Sequence, residues 1–547
     1  MQARFKALSS MFVFPIAPHF LLRIAASLLI AQSAVAAISP ADEQVHFVIR
    51  DYEIEGAQMI SAERLRLAVA PFIGPSQTFA DIQRAVAAID VLYADVGFSA
   101  TQVRVEPQDI TKGTVRVKVV ESTVGSVNII GNQYFDPANI RSTLPQLVSG
   151  QAPNVRELGT AVRLANESYA KQTQVTFRQG EKADTVDALV RISDSDPVRH
   201  VVTIDNTGGQ QAGKYRTGYA FQHANLFNRD HLLTAQYVTS PGHISDVTIF
   251  GANYRLPFYS IGGALDFSAS YSNVNSGIVA TTAGSYSISG SGTVMGVRYT
   301  QLLQRIGDWD QRVTAGIDYR YFQNKVLPNG TNASLVPDLV SRPLTFSYSG
   351  FARSEQREWR ASISAAQNIP GGGKGSTAAF QAPGSRAGAT ANFRTVRFNG
   401  FAKQSLPANW ALQAQFSGQY SGDALISGEQ FGIGGVESVR GFREREVLND
   451  RGYRTSLELQ SPNMPKMFGT TDTRTQVIAF YDAGSVRRNK PLPGENTATS
   501  ISSAGAGLRV GLGNSAQIRL DLASVLQGGG VRRSGEKMLH ANLTFLF

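Results

Sequence analysis

Cysteine is absent from the 547-residue chain, so disulfides, thiolate metal sites and cysteine nucleophiles are all excluded. Beyond the first 36 residues, no apolar run approaches the roughly 18 to 20 residues of a membrane-spanning helix. Charged side chains make up only 17% of the sequence, and the net charge of +10 comes from scattered residues. A nucleic-acid partner would call for a basic stripe with interleaved aromatics on one face, and there is none. The seven histidines are dispersed without metal-ligand spacing. Neither a Gly-x-Ser-x-Gly elbow nor a His-Glu-x-x-His helix occurs. The segment 371–377 has the outline of a phosphate-binding loop, but Gly375 separates Lys374 from Ser376 and Thr377. These absences predict a protein that is not an enzyme and uses no cofactor or metal.

What is abundant is glycine (52) and phenylalanine (29), a composition suited to many strands and turns. Residues 1–36 read as a secretory signal peptide. Arg4, Lys6 and Arg23 form a positive region, Ile24 to Ala31 an apolar core, and Ala34-Val35-Ala36 a cleavage site. The mature chain is then expected to start near Ala37, outside the inner membrane and away from any ATP pool. Only a short segment, 37–45, precedes the first strand.

A weak repeat of about 75 residues follows, in units 46–122 and 123–197. The first opens with a strand from Phe47 to Gly56, the second with one from Val127 to Gly131. Thr78 and Asp81 form a capping-box pair ahead of a helical face of Ile82, Val86, Ile89, Tyr93 and Val96. Asn154 and Glu157 take the same places before Leu158, Val162, Ala165 and Tyr169. Asp136-Pro137 marks a further helix start. Two strands close each unit, 101–106 with 114–121 and 174–178 with 186–192. The order is βααββ twice, with an open sheet edge suited to adding an extended peptide.

From 198 to 547 the pattern is period-two alternation. Trp410, Leu412, Ala414, Phe416, Gly418 and Tyr420 oppose Gln413, Gln415, Ser417 and Gln419; Leu457 and Leu459 oppose Glu458 and Gln460. Long strands with one apolar and one polar face predict a transmembrane β-barrel with a polar interior, about 16 strands at about 22 residues each with its connection. A soluble sandwich would alternate in shorter strands. The chain ends in a strand whose outer face includes Leu539, Leu543, Phe545 and Phe547.

Several motifs together resemble the transporters of two-partner secretion, the TpsB or ShlB/FhaC/HecB type of haemolysin secretion/activation protein. Tyr93-Ala94-Asp95-Val96-Gly97-Phe98, with Pro107-Gln108-Asp109 and Gly113, is similar to the first POTRA domain of that family. Phe431 to Phe442 contains Val439-Arg440-Gly441-Phe442, similar to the tip of the family's long sixth extracellular loop (here 421–452). Phe480-x-Asp482-x-Gly484 is similar to its inward strand motif. Val477, Ala479 and Tyr481 form an apolar face, which leaves Phe480 and Asp482 to the lumen. Asp205-Asn206-x-Gly208, Asn225-Leu226-Phe227 with Asp230, and Tyr254-x-x-Pro257 agree.

The resemblance implies an outer-membrane transporter with periplasmic POTRA domains, exporting a large unfolded partner exoprotein. It also implies a loop folded into the barrel with Arg440 paired to Asp482, and Phe545 and Phe547 as the recognition signal for the barrel-assembly machinery. Outer-membrane lipid would surround the barrel, and nucleic acid would not be a partner. Some family members plug the pore with an N-terminal helix; the shortness of 37–46 predicts none here. An insertase would be expected to carry more repeat units, and a passive porin none.

Overall fold

The computed structural model describes residues 45–209, 213–273, 278–281, 284–287, 291–323, 337–464 and 473–547. The expected signal peptide, and the segment 37–44 on which the absence of a plug was argued, lie outside these residues.

Each N-terminal unit packs two helices on a three-stranded sheet. In the first, Asp51–Glu55 runs parallel to Thr114–Glu121, whose other edge takes Thr101–Arg104 antiparallel. The single strand expected from Phe47 to Gly56 is in fact two. Phe47–Ile49 pairs with Gly74–Gln77, and the chain changes partner at Arg50, whose N–H donates to Gly113 O at 2.7 Å. The unit therefore carries a short strand between its helices, beyond the βααββ order. Its second helix, Phe79–Val96, starts at Thr78, where Asp81 accepts from the backbone N–H (2.7 Å) and the hydroxyl (2.6 Å). Ile82, Ala85, Ile89 and Tyr93 bury one stripe of that helix against Val115, Val117 and Val119. Burial and the bond from Tyr93 Oη to Glu121 (2.7 Å) push the Tyr93 phenol well above its ordinary value.

The second unit repeats the plan with Thr123–Ile130, Pro137–Ser142, Val155–Ala165, Lys171–Gln179 and Thr185–Asp194. Asp136 and Asn154 cap its helices through their side chains. Tyr169, read as part of the second helical face, lies beyond the helix, which ends in a turn at Asn166. Its hydroxyl donates to Pro197 O (2.6 Å), and the Arg199 guanidinium stacks on its ring at 4.0 Å. The residue thus ties the unit to the first barrel strand.

Residues 198 onward form a closed antiparallel barrel from Val198–Asp205 to Lys537–Leu546. Seventeen named segments make sixteen strands, because Leu339–Ser341 and Pro343–Arg353 continue one register on the same neighbour across a break at Arg342. Pro343 has no N–H to give to the ladder. The first and last strands close the cylinder from Asp205↔Asn542 to Val201↔Leu546. Asn206 extends this seam, accepting from Ala541 N (2.9 Å) and donating to Leu539 O (2.7 Å). Phe547 exchanges backbone bonds with His200.

Alternation decides which face meets lipid. Leu412, Phe416, Tyr420, Tyr453, Leu457 and Tyr481 are all exposed, whereas Glu458, Phe480 and Asp482 are buried. Trp410 and Tyr420 bracket the outer face of one strand ten residues apart. At about 3.3 Å per residue and about 40° of tilt they enclose about 25 Å, the height of an outer-membrane apolar band. Closure satisfies every strand edge, which a membrane interior cannot do with water. The chain is accordingly expected to resist detergent at room temperature and to change gel mobility on boiling. Recovery of the folded chain from the soluble periplasmic fraction would contradict the barrel.

The second unit docks on the periplasmic turns through buried polar groups. Lys171 Nζ lies 2.6 Å from Asp230 and 3.0 Å from Asn139 Oδ1, above the Phe135 ring at 4.8 Å. Asp230 also accepts from Tyr259 Oη (2.6 Å) and Asn139 Nδ2 (2.9 Å), and Asn139 reaches Asn225 Oδ1 (3.1 Å). The Asn225 and Asp230 of the sequence motif are therefore docking residues.

Candidate functional site

The connection after the strand ending at Tyr420 turns back into the barrel as a hairpin, Phe431–Ile433 paired with Val447–Asn449. The wall strand resumes at Arg451, so the loop is 421–450, two residues shorter than the 421–452 read from sequence. Ile433, Val439, Phe442 and Val447 bury themselves against Val486, Ile501 and Val525 of the wall. An extracellular loop has no water-facing use for these four side chains; their burial holds the hairpin inside.

At its tip Arg440 is 2% exposed. Its Nε and Nη2 make a two-pronged contact with Asp482, at 2.7 and 2.8 Å, and its own backbone N–H reaches the same carboxylate at 3.1 Å. Nη1 donates to Glu458 (2.6 Å), Nη2 to Ser456 Oγ (3.1 Å), and Asp521 stands 3.7 Å away. The guanidinium carbon sits 3.5 Å from the Phe480 ring centre. A planar fork matches this carboxylate and ring geometry where an ammonium would not.

The strand motif divides the work among successive inward positions. Phe480 offers its ring face and Asp482 its carboxylate. Gly484 leaves room for the loop: a Cβ there would lie 3.2 Å from Ile433 Cγ2. Gly441, at φ +91°, adopts a backbone conformation that side chains disfavour, and its N–H donates to His540 Nε2 at 2.8 Å. Val439 and Phe442 are fully buried. Glu458, Asp521 and His540 complete the anchor and were missing from the motif reading. Alternation had put Glu458 on the polar face, but nothing in the sequence said that the three meet.

The other motif residues have local roles. Gly97 ends its helix at φ +100° and accepts from Val155 N (2.8 Å), while Asn154 Nδ2 reaches Val96 O, so this turn joins the two N-terminal units. Phe98 packs on the first core. After Pro107, Gln108 pairs its amide with Arg116 N and O (both 2.7 Å), continuing the sheet edge with a side chain. Asp109 accepts from Thr111 N in a turn, and Gly113 follows at φ +82°. Phe545 lies in the last strand opposite Val202, and Phe547 is exposed beyond it.

A second layer covers the outer side. The loop between strands Arg357–Asn368 and Arg394–Ser405 carries the glycine-rich segment 371–377 and packs Phe380, Ala389 and Phe393 against Leu425 and Ile426. Arg386 binds Asp450 (3.2 Å) and Asn489 O (2.6 Å). Lys374 turns to Asp338 (3.1 Å) and Tyr321 Oη (3.2 Å). Between the hairpin and the first strands, a cavity of about 420 Å³ is lined by Arg216, Arg443, Arg445, Arg454, Asp205 and Glu444.

Residues 186–510 match the model of the haemolysin secretion/activation protein family ShlB/FhaC/HecB, and residues 47–122 match the ShlB-type POTRA domain. The chain belongs to this family. Among its relatives, the outer membrane transporter CdiB of Escherichia coli is 22% identical over 84% of this chain and 76% of the relative. The heme/hemopexin transporter protein HuxB of Haemophilus influenzae is 19% identical over 86% and 81%. Solved CdiB structures share the fold. That from Escherichia coli has a TM-score of 0.74 at 17% identity, covering 94% of this chain and 93% of the other; that from Acinetobacter baumannii has 0.68 at 16%, covering 95% of each. This ShlB/FhaC/HecB-type protein is thus an outer-membrane transporter that exports a partner exoprotein, with its POTRA region in the periplasm.

Proposed function

We propose that the cargo is a large adhesin- or haemolysin-type exoprotein, captured unfolded by the periplasmic units 46–122 and 123–197 and conducted outward through the barrel. Arg440 and its carboxylates hold the sixth loop in the resting position, and the loop must shift for the chain to pass. What supports this reading is the two-pronged Arg440–Asp482 contact at 2.7 and 2.8 Å, a discrete latch that can open as a unit. Folding of the cargo outside supplies the direction, no nucleotide is hydrolysed, and the chain carries out no catalysis of its own. Val439 to Phe442 serve as the loop tip, and Phe480, Asp482 and Gly484 as its seat. Gly97, Phe98, Pro107, Gln108, Asp109 and Gly113 shape the capture domain. Phe545 and Phe547 are read by the barrel-assembly machinery when the chain itself is inserted.

Capture and conduction lie in separate domains, so deleting 46–121 is expected to abolish export of the cognate partner while the barrel still assembles. The check is partner in the medium per heat-modifiable transporter. Undiminished secretion by the truncated chain would remove the capture role.

A further inference from the structure

Arg451 and Arg487 are direct partners across two adjacent strands, and both point outward. The direction follows from alternation. Arg451 shares its face with the exposed Tyr453, Leu457 and Leu459, and Arg487 shares its face with the exposed Val477 and Tyr481. Side chains directly opposed in this way lie about 5 Å apart at Cβ, where like charges repel. Among the described residues neither guanidinium has a carboxylate within ion-pair distance.

The lumen shows how this chain treats the same problem elsewhere. Arg509 and Arg519 are also direct partners, but Asp521 lies between them, at 2.8 Å from Arg509 and 2.9 Å from Arg519. The inward pair shares an anion supplied by the protein. The outward pair has none.

Height on the barrel names the missing anion. The first strand leaves the periplasmic domains, so Tyr420, Arg451 and Arg487 stand at the opposite, extracellular end. The pairing Gln419↔Gly452 puts Tyr420 level with Arg451 on the outer face. Tyr420 marks the upper edge of the apolar band, where aromatic girdles meet the headgroups. Two guanidiniums at that height face the phosphates of the outer leaflet, and each can bind a phosphate through two parallel N–H bonds. We infer that Arg451 and Arg487, flanked by Tyr420, form a binding site for the phosphate of an outer-leaflet phosphorylated glycolipid.

The test uses the full-length protein in detergent and native mass spectrometry, with bisphosphorylated lipid A as the probe. Lipid A is expected to stay bound to the wild type and to fall at least tenfold in occupancy on Arg451→Gln with Arg487→Gln. Arg451→Lys with Arg487→Lys is expected to keep part of the binding. Arg357→Gln, an outward arginine at the periplasmic rim, is expected to bind as the wild type does. Heat-modifiable mobility confirms that each variant is folded. Equal occupancy in the double Gln variant would overturn the site. So would displacement by an equal concentration of inorganic phosphate, or equal retention of dephosphorylated lipid A, because either would separate binding from the glycolipid phosphate.

Discussion

Arg440→Ala is expected to reduce secretion per folded transporter at least tenfold, and to do more harm than any single change among the carboxylates around it. The asymmetry follows from the geometry. Asp482 is fully buried, and among the described residues every hydrogen bond its carboxylate accepts comes from Arg440. Glu458 loses its 2.6 Å partner and keeps Gln460 Nε2 at 3.5 Å and Arg509 at 4.0 Å, while Asp521 retains Arg509 and Arg519. Removing one side of a buried ion pair costs about 3–5 kcal/mol because the other charge is stranded. Here the loop can escape that cost only by leaving its seat.

Asp482→Asn should be milder, since Arg440 still has Glu458 and, at 3.7 Å, Asp521. Exchanging the two charges (Arg440→Asp with Asp482→Arg) is expected to restore little. The new carboxylate at 440 would face Glu458 and Asp521, a repulsion that a two-residue picture of the latch omits. The measurements are partner secretion and a cross-link between cysteines placed beside 440 and 482, in a chain with no cysteine of its own. Normal export by Arg440→Ala, with no cross-link in the wild-type background, would take the latch out of the mechanism.

The same comparison shows what a linear sequence can carry. Alternation is local, so it assigned Tyr481 to lipid and Asp482 to the lumen with no knowledge of the fold, and the barrel agrees. Register is not local. Glu458, Asp521 and His540 come from three strands spread over some eighty residues, and they meet only because the cylinder closes and the loop reaches a particular depth. The split at Arg50 escaped for a similar reason: the residues on both sides favour a strand, and only the competing partners Gly74–Gln77 and Thr114–Glu121 break it. Tyr169 fell on the helical spacing after Val162 and Ala165, but the turn at Asn166 redirects it to Pro197. The outer lid of Phe380 and Phe393 left no periodic signal because it is built from a loop.

Asp230→Ala is expected to loosen the second periplasmic unit from the barrel and to cut secretion severalfold while the barrel still forms. The Lys171 side chain is fully buried and Asp230 is 3% exposed, so this pair is shielded from salt and solvent. Burial pulls the Lys171 ammonium below its ordinary value, and the Asp230 charge opposes that pull. Without Asp230 the ammonium keeps Asn139 Oδ1, the Phe135 ring and the charge of Asp194, a loss of about 3–5 kcal/mol that undocking would relieve. Lys171→Met removes the ammonium instead and leaves Asp230 with donors from Tyr259 and Asn139, so its effect should be smaller. Combining the two removes both charges and should lie closer to wild type than Asp230→Ala alone. Proteolysis of the native protein in the 193–198 connection reports undocking, and partner secretion reports its consequence. If the two single effects simply add in the double variant, Lys171 and Asp230 are not coupled and the junction is held by its amides and apolar contacts instead.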